Sequence, residues 1–505
     1  MDFFSGLVHP AASPSNRSLA VPAGLDRLLH HLAPWDDWPP DNCGLGGGNC
    51  QADLERIDGR TFRCLGGCRD TTLGNKRWVG YEKVDGQALI IGGGDENGTY
   101  RADSWLCASA IHSNLISSTL GGCVNFHSLP YPDGASNFMS SFSAGLNSTG
   151  FAPNFPGAFR LTSHSITGCL DLHFIVTGFN AFCLLMTTLF LRPPSSLLFI
   201  ILLVGGYFHL ILFADPPDIP PDWENIIAGL PAVLLAGYWM WKLAFKRTLE
   251  GFMTSDLPFE VALWQGLGFW LGVESRTVFA RLPISRLGYD ALDPAGVITL
   301  VIIIMIVVIV VLVQAWSMRK YGLLRYYIIR YIGLIPLIIV LAVIPGFTLR
   351  PHHYLLALIA IPVLSLPNRI SLFGQAFALG LFLDGVGRWG WDGLIQVTSS
   401  LLGDADAGTL VPEFWKNATT SSKLWWDPIN SVDGVFNVTG FSVLVDDMQR
   451  FSNFTNSTLD MATLNLTQGI DHYIRLAFVA NGTSLDFTDP LTCFSNGSFS
   501  FPKTG

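Results

Sequence analysis

The residues of this 505-residue chain best equipped for chemistry are ionisable groups set in apolar surroundings. His173, His209, Glu274, His352, His353, Asp384 and Arg388 lie within or at the ends of long hydrophobic runs. Ionisable side chains in such runs are costly in lipid and point to function by default. Histidine with carboxylate is also a zinc-ligand set, and bound zinc lowers the pKa of water far enough for hydrolysis near neutral pH. The structural reading is simpler: polar groups collect at membrane interfaces by snorkelling. Asp384 and Arg388, four residues apart, can pair with each other on a helix. That reading is preferred, so no cofactor is expected; a metal-dependent hydrolase with a lumenal zinc site is kept as an alternative.

Two further residue classes carry chemistry. Asn-x-Ser/Thr glycosylation sequons occur at Asn16, Asn97 and Asn147, and again at Asn417, Asn437, Asn453, Asn456, Asn465, Asn481 and Asn496, with none between. Seven in the C-terminal segment indicate that it faces the lumen. Nine cysteines lie at 43, 50, 64, 68, 107, 123, 169, 183 and 493. Cys183 sits inside the first hydrophobic run and is expected to be a free, buried thiol. The other eight are lumenal, where disulfides form, which disfavours a metal site at Cys64-x-x-x-Cys68. Cys123 and Cys169 are expected to pair.

The elements that hold these groups follow from composition. The chain is 50% hydrophobic and 14% charged, against about 25% charged in soluble domains. Its mean hydropathy is +0.39. A net charge of −9 argues against nucleic acid as a partner, which asks for basic surface. Residues 169–390 carry 14 Lys and Arg against 12 Asp and Glu, while the two ends carry 16 against 27. The middle is therefore charge-poor and the ends are acidic.

A helix spans the hydrocarbon with ~20 apolar residues. Segments 172–191, 196–213, 225–245, 295–316, 326–346, 353–367 and 371–388 read as spans. Sequons at both ends require an even count, so Leu257–Ser275, rich in Trp and Gly, is taken as an eighth, with an amphipathic surface helix as its alternative. Arg192, Lys246, Arg247, Arg319, Lys320, Arg325 and Arg369 then fall in cytosolic turns, as the positive-inside rule asks. Arg276, Arg281 and Arg286 dissent, falling in a lumenal loop. Met1–Leu29 lacks the apolar core of a signal peptide. Either the first span translocates the N-terminal segment, or an upstream signal or anchor is missing. In this alternation His173, His209, Glu274, His352, His353, Asp384 and Arg388 all fall at the lumenal leaflet.

Cys50, Phe62-Arg-Cys64-Leu-Gly-Gly-Cys68, Val79-Gly80, Tyr100-Arg-Ala-Asp103-Ser104-Trp-Leu-Cys107-Ala-Ser-Ala110-Ile-His112 and Gly121-Gly122 resemble an LCCL domain in order and spacing. Leu65 stands where that family usually has proline. The resemblance implies a central helix wrapped by β-strands, here Asp103–Ser117, capped by Asp103 or Ser104. It also implies the disulfides Cys50–Cys64 and Cys68–Cys107, leaving Cys43 and Cys493 unassigned. His112 on that helix reads as a packed, hydrogen-bonded histidine. Beyond the domain, Cys43–Cys50, Ala214-Asp-Pro-Pro217, Leu282–Leu287, Arg350–Ala357, Gln375, Arg388–Asp392 and Ser442–Asp447 are similar to the fungal multi-pass LCCL-containing membrane proteins, a family that supplies no biochemical activity.

The C-terminal segment reads as a small β-sandwich. Phe441–Val445 and Tyr473–Ala480 are strand-like, with a turn at Asn481-Gly482 and a return strand at Ser484–Phe487. The expected architecture is thus an α-helical membrane protein of about eight spans. It comprises an N-terminal lumenal segment (1–42), an α+β LCCL domain (43–168), the membrane domain (169–392) and a glycosylated β-rich lumenal domain (395–505). The expected partners are membrane lipids and an extracellular or lumenal ligand (glycan, lipid or protein), at the plasma membrane or in the secretory pathway. A transporter or channel is the alternative built on the helices.

Overall fold

The computed structural model describes residues 45–73, 76–129, 136–164, 169–214, 222–254, 257–279, 294–349, 352–391, 393–397, 408–416, 423–429 and 438–502. Asn16, Cys43, Arg281, Arg286, Asn417 and Asn437 lie outside them. The described residues divide into two compact units. One is 172–397; the other joins 45–171 with 408–502.

In the N-terminal module, helix α1 (Gly48–Ile57) precedes an antiparallel sheet. Its strands are β1 (Thr61–Cys64), β2 (Tyr100–Arg101), β3 (Gly122–Leu129) and β4 (Ala158–His164), in the order β1-β3-β4-β2. Helix α2 (Leu106–His112) is buried at all seven positions. It is shorter than the expected Asp103–Ser117. Asp103 is engaged by Arg77 and Arg101, and the Ser104 hydroxyl binds the Ile91 amide, so neither caps it. The helix ends where Asn114 turns left-handed at φ 57°, the usual device for stopping a helix.

Cys64, closing β1, is bonded to Cys107 in the first turn of α2, their Cα atoms 5.5 Å apart. This replaces the implied Cys50–Cys64 and Cys68–Cys107 pairing. β1 ends against α2, which sets Cys64 beside Cys107, and the buried Cys68 thiol donates to the Leu65 carbonyl instead. Cys50 is also disulfide-bonded. Cys123 is bonded to Cys169, as expected. Closing chain separations of 43 and 46 residues contributes roughly 3–4 kcal/mol each in the chain-entropy view.

The C-terminal module is built on one antiparallel sheet. β5 (Val438–Val445), β6 (Met448–Phe454), β7 (His472–Ala480), β8 (Leu491–Cys493) and β9 (Phe499–Ser500) run in the order β6-β5-β7-β8-β9. Thr483–Ser484 folds back on β7 through Asn481-Gly482, shorter than the expected return strand. A two-stranded pair, Lys423–Trp425 with Thr458–Asp460, supplies the second layer. Trp426, fully buried, packs edge-on to Phe441 between them.

In the other unit, six helices are long and apolar enough to cross a membrane: α3 (His173–Leu191), α4 (Ser195–Ala214), α5 (Trp223–Met253), α7 (Val297–Lys320), α8 (Leu324–Ala342) and α10 (Arg369–Arg388). Two expected spans are shorter helices, α6 (residues 258–273) and α9 (His353–Leu364). Along α7 and α8 the apolar side chains lie almost wholly on the outside, as lipid-facing helices require and soluble ones do not tolerate. Cys183 is a free thiol exposed on α3 rather than buried.

Helices α6 and α10 meet backbone to backbone. A Cβ on Gly272 would lie 2.3 Å from the Phe377 carbonyl oxygen, and one on Gly268 2.4 Å from that of Phe373. This Gly-x-x-x-Gly approach is how helices pack without a hydrophobic driving force. Gly272→Ala is expected to lower the thermal stability of the detergent-purified protein by several degrees. Gly178→Ala, where a Cβ meets nothing, serves as the control and should leave it unchanged.

Candidate functional site

Arg101 lies at the end of β2 with 1% of its surface exposed. A buried guanidinium is tolerated only when its donors are matched by carboxylates. Its Nε and Nη2 donate to the two oxygens of Asp103 at 2.8 and 2.7 Å. Its Nη1 donates to Asp447 Oδ2 at 2.7 Å. Arg77 reaches Asp103 from the hairpin Arg77–Val84 at 3.1 Å. The guanidinium carbon stands 4.4 and 4.3 Å from the ring centroids of Phe151 and Phe155, within cation–π range.

Asp447 belongs to the C-terminal module. It is the second residue of the two-residue turn between β5 and β6, and its Oδ2 also accepts the Gly80 amide at 2.9 Å. Beside it, Asp446 accepts His472 Nδ1 at 2.8 Å and the Tyr473 amide at 3.0 Å. Tyr473 is part of the N-terminal module's own hydrophobic core, and its ring lies against Gly80 and Phe151. Gly80 has φ 58°, and a Cβ there would sit 2.8 Å from the Tyr473 ring. Arg77, Asp103, Arg101 and Asp447 thus form an alternating chain of charges, a clasp between the two modules, and the Asp446–His472 pair adjoins it within the C-terminal module.

Burial pushes the Arg101 pKa down, but Asp103 and Asp447 more than offset it and leave it raised. Burial pushes Asp103 up, and Arg101 and Arg77 outweigh it, so Asp103 is held below the usual carboxylate range. Asp446 is raised, because burial exceeds the help it receives from His472. His472 is raised too: burial opposes its charge, but the bond to Asp446 prevails.

His472 is the register partner of Cys493, which by residue type suggests a Cys-His-Asp nucleophile. The geometry refuses it. Nε2 of His472 is committed to the Thr467 carbonyl at 2.8 Å, so with Nδ1 on Asp446 both nitrogens donate and no lone pair remains to take a thiol proton. Burial, with Asp446 and Asp471 nearby, pushes the Cys493 thiol up rather than down.

His112 is packed as expected. Nδ1 meets the Tyr100 hydroxyl at 2.9 Å and Nε2 faces the Ser141 carbonyl at 3.2 Å.

The seven ionisable residues of the hydrophobic runs divide into groups. His209, at 3% exposure, receives Asn180 Nδ2 on Nδ1 at 3.0 Å and meets Thr177 Oγ1 with Nε2 at 3.2 Å. Thr177 donates to Glu274 Oε1 at 2.9 Å, itself 3.7 Å from His209 Nε2. The next residue, Ser275, donates to Asp384 Oδ2 at 3.0 Å, and Asp384 is ion-paired to Arg388. The end of α6 therefore carries polar groups toward α3 and α4 on one side and toward α10 on the other. His173 is buried at the start of α3 with its ring against Phe174. His352 stacks on Tyr354 and faces the Gly393 carbonyl, and His353 is exposed. Among the described residues no three His, Cys, Asp or Glu are placed to hold a metal ion, so the zinc alternative finds no complete ligand set there.

Sequence reasoning missed Arg101, Gly80, Asp446, Asp447, His472 and Tyr473. One signal was available: Asp446-Asp447 separates two alternating runs by two residues, the spacing of a hairpin turn. Thr177, Asn180 and Ser275 carried no signal, being common residues in apolar helices.

The LCCL domain family model matches residues 49–155. The uncharacterized protein YIL067C of Saccharomyces cerevisiae is 31% identical to this chain over 512 residues, covering 92% of the chain and 72% of that protein. No solved structure matches. The chain belongs to the family of LCCL domain-containing proteins that includes this yeast relative.

Arg101→Met leaves Asp447 without a cation and Asp103 with Arg77 alone, and is expected to cost about 3–5 kcal/mol, read as an earlier unfolding transition of the unit that holds the two modules. The adjoining Asp446–His472 pair has a pH signature. The folded pKa values of His472 and Asp446 are both raised, so the folded state holds more protons than the unfolded one. The His472 contribution is complete below about pH 6.5, its unfolded value, and is lost as pH rises through the raised folded value. Thermal melts should therefore show His472→Gln costing more stability at pH 6 than at pH 8.

Proposed function

We propose that this protein is a polytopic glycoprotein of the secretory pathway or cell surface whose LCCL domain binds an extracellular or lumenal ligand. The observation that carries this reading is that the two ends of the chain form one body with a shared core. Ends that fold together lie on the same side of a membrane, so the number of spans between them is even. Six long helices with two short ones, α6 and α9, agree with eight. The exposure of the seven sequon asparagines among the described residues (Asn97, Asn147, Asn453, Asn456, Asn465, Asn481 and Asn496) on this body supports a lumenal side. Disulfides in the same body suit an oxidising compartment.

Enzymatic removal of N-glycans from the purified protein, read by mass, is expected to show a loss spread over both terminal modules. An unglycosylated C-terminal module overturns the sidedness. For the ligand, the full-length protein in nanodiscs is titrated with cell-wall glycans, lipids and secreted proteins. Saturable binding to one class supports the binding reading, and none at all sinks it.

The buried His209–Glu274 pair favours a second reading, transport through the helical unit, because such pairs mark ion and substrate pathways in membranes. On that reading Glu274→Gln abolishes a reconstituted flux, and a flux indifferent to Glu274→Gln and Asp384→Asn removes it.

A further inference from the structure

The turn that closes the clasp is built against local preference. Asp446 and Asp447 both adopt left-handed φ, 56° and 59°, where two-residue hairpin loops normally place Asn-Gly. Two adjacent carboxylates also repel each other, and both are at least nine-tenths buried. Aspartate tolerates this conformation, but charge does not favour the pair, so what they contact must. For Asp447 those are groups supplied by the LCCL domain: the Arg101 Nη1 donor, whose guanidinium is flanked by the Phe151 and Phe155 rings, and the Gly80 amide. Arg101 is fixed in place by its two-pronged bond to Asp103 whether or not Asp447 is present.

We infer that the LCCL domain carries a carboxylate-binding site formed by Arg101, the Gly80 amide and these two rings, and that this chain fills it with its own Asp447. The occupant fits imperfectly. Both donors converge on Oδ2, while Oδ1 is buried with no hydrogen-bond partner. The site therefore does not match both oxygens of this occupant. The ligand class that fits is a protein bearing an acidic side chain on an exposed turn. Such a ligand would compete with the C-terminal hairpin, making that hairpin an inhibitor held in cis. This deepens the binding reading above and rests on it only in taking the LCCL domain as the binding module.

Chemical rescue tests the site without any external partner, so failure here leaves the ligand titration untouched, and the reverse. Asp447→Gly removes the carboxylate and suits the left-handed turn. The full-length variant is expected to unfold at a lower temperature than the wild type. Acetate should raise that midpoint saturably toward the wild-type value, with chloride at equal ionic strength ineffective. Wild type and the double variant Arg101→Met/Asp447→Gly should show no acetate effect. If Asp447→Gly does not accumulate, its folded yield on purification with acetate against chloride gives the same readout. An acetate effect no larger than that of chloride overturns the proposal, as does rescue that persists without Arg101.

Discussion

A guanidinium withdrawn from water must be met by carboxylates, and Arg101 takes one from each end of the chain. Asp103 lies two residues away, whereas Asp447 lies 346 residues away beyond the helical unit. Coulomb attraction is strong where water is excluded, but the desolvation cost is of similar size. Such a pair therefore contributes little to stability by its formation and a great deal to specificity, because a wrong partner leaves the charge unmatched. The tight seat of Tyr473 on Gly80 and the second pair, Asp446 with His472, reinforce the same register. From this one constraint follows the union of the two modules.

The helical unit obeys the complementary rule. With lipid outside, apolar side chains gain nothing by turning inward, and α7 and α8 leave theirs out. Cohesion comes from close backbone approach at Gly268 and Gly272 and from a few polar contacts. One group of them lies where α6 ends, with Glu274 bonded toward α3 and Ser275 toward α10, and another joins Gln314 to Ser371 and Gln375 to Thr248. Polar contacts of this kind hold the helices in register.

Local patterns in the sequence carried the parts of this fold that local physics determines. The apolar runs became helices within a few residues of their expected ends, and the LCCL motifs placed β1, α2 and His112. Asp384 with Arg388, and Cys123 with Cys169, met as expected. What was not legible depends on contacts between distant segments. Cys64 chose Cys107 because the end of β1 lies against α2, which spacing does not encode. Helix α2 lost its expected first turn because Asp103 was needed by Arg77 and Arg101. The clasp was invisible for the same reason: Arg101 reads as one more residue of a motif, and Asp447 as a surface turn, until the fold brings them together.

The central claim is that Arg101 and Asp447 hold the two modules as one body, and a double-mutant cycle tests it most directly. Arg101→Met, Asp447→Asn and the double variant are compared with the wild type by equilibrium unfolding of the unit that joins the two modules. Contacting groups in one buried network show a coupling of about 0.5–3 kcal/mol, and groups without shared partners add within about 0.3–0.5 kcal/mol. The account predicts a coupling in the upper half of the first range, the double variant being less damaged than the sum of the single ones. Additive effects within the second range would mean that the two residues do not meet, and would contradict it.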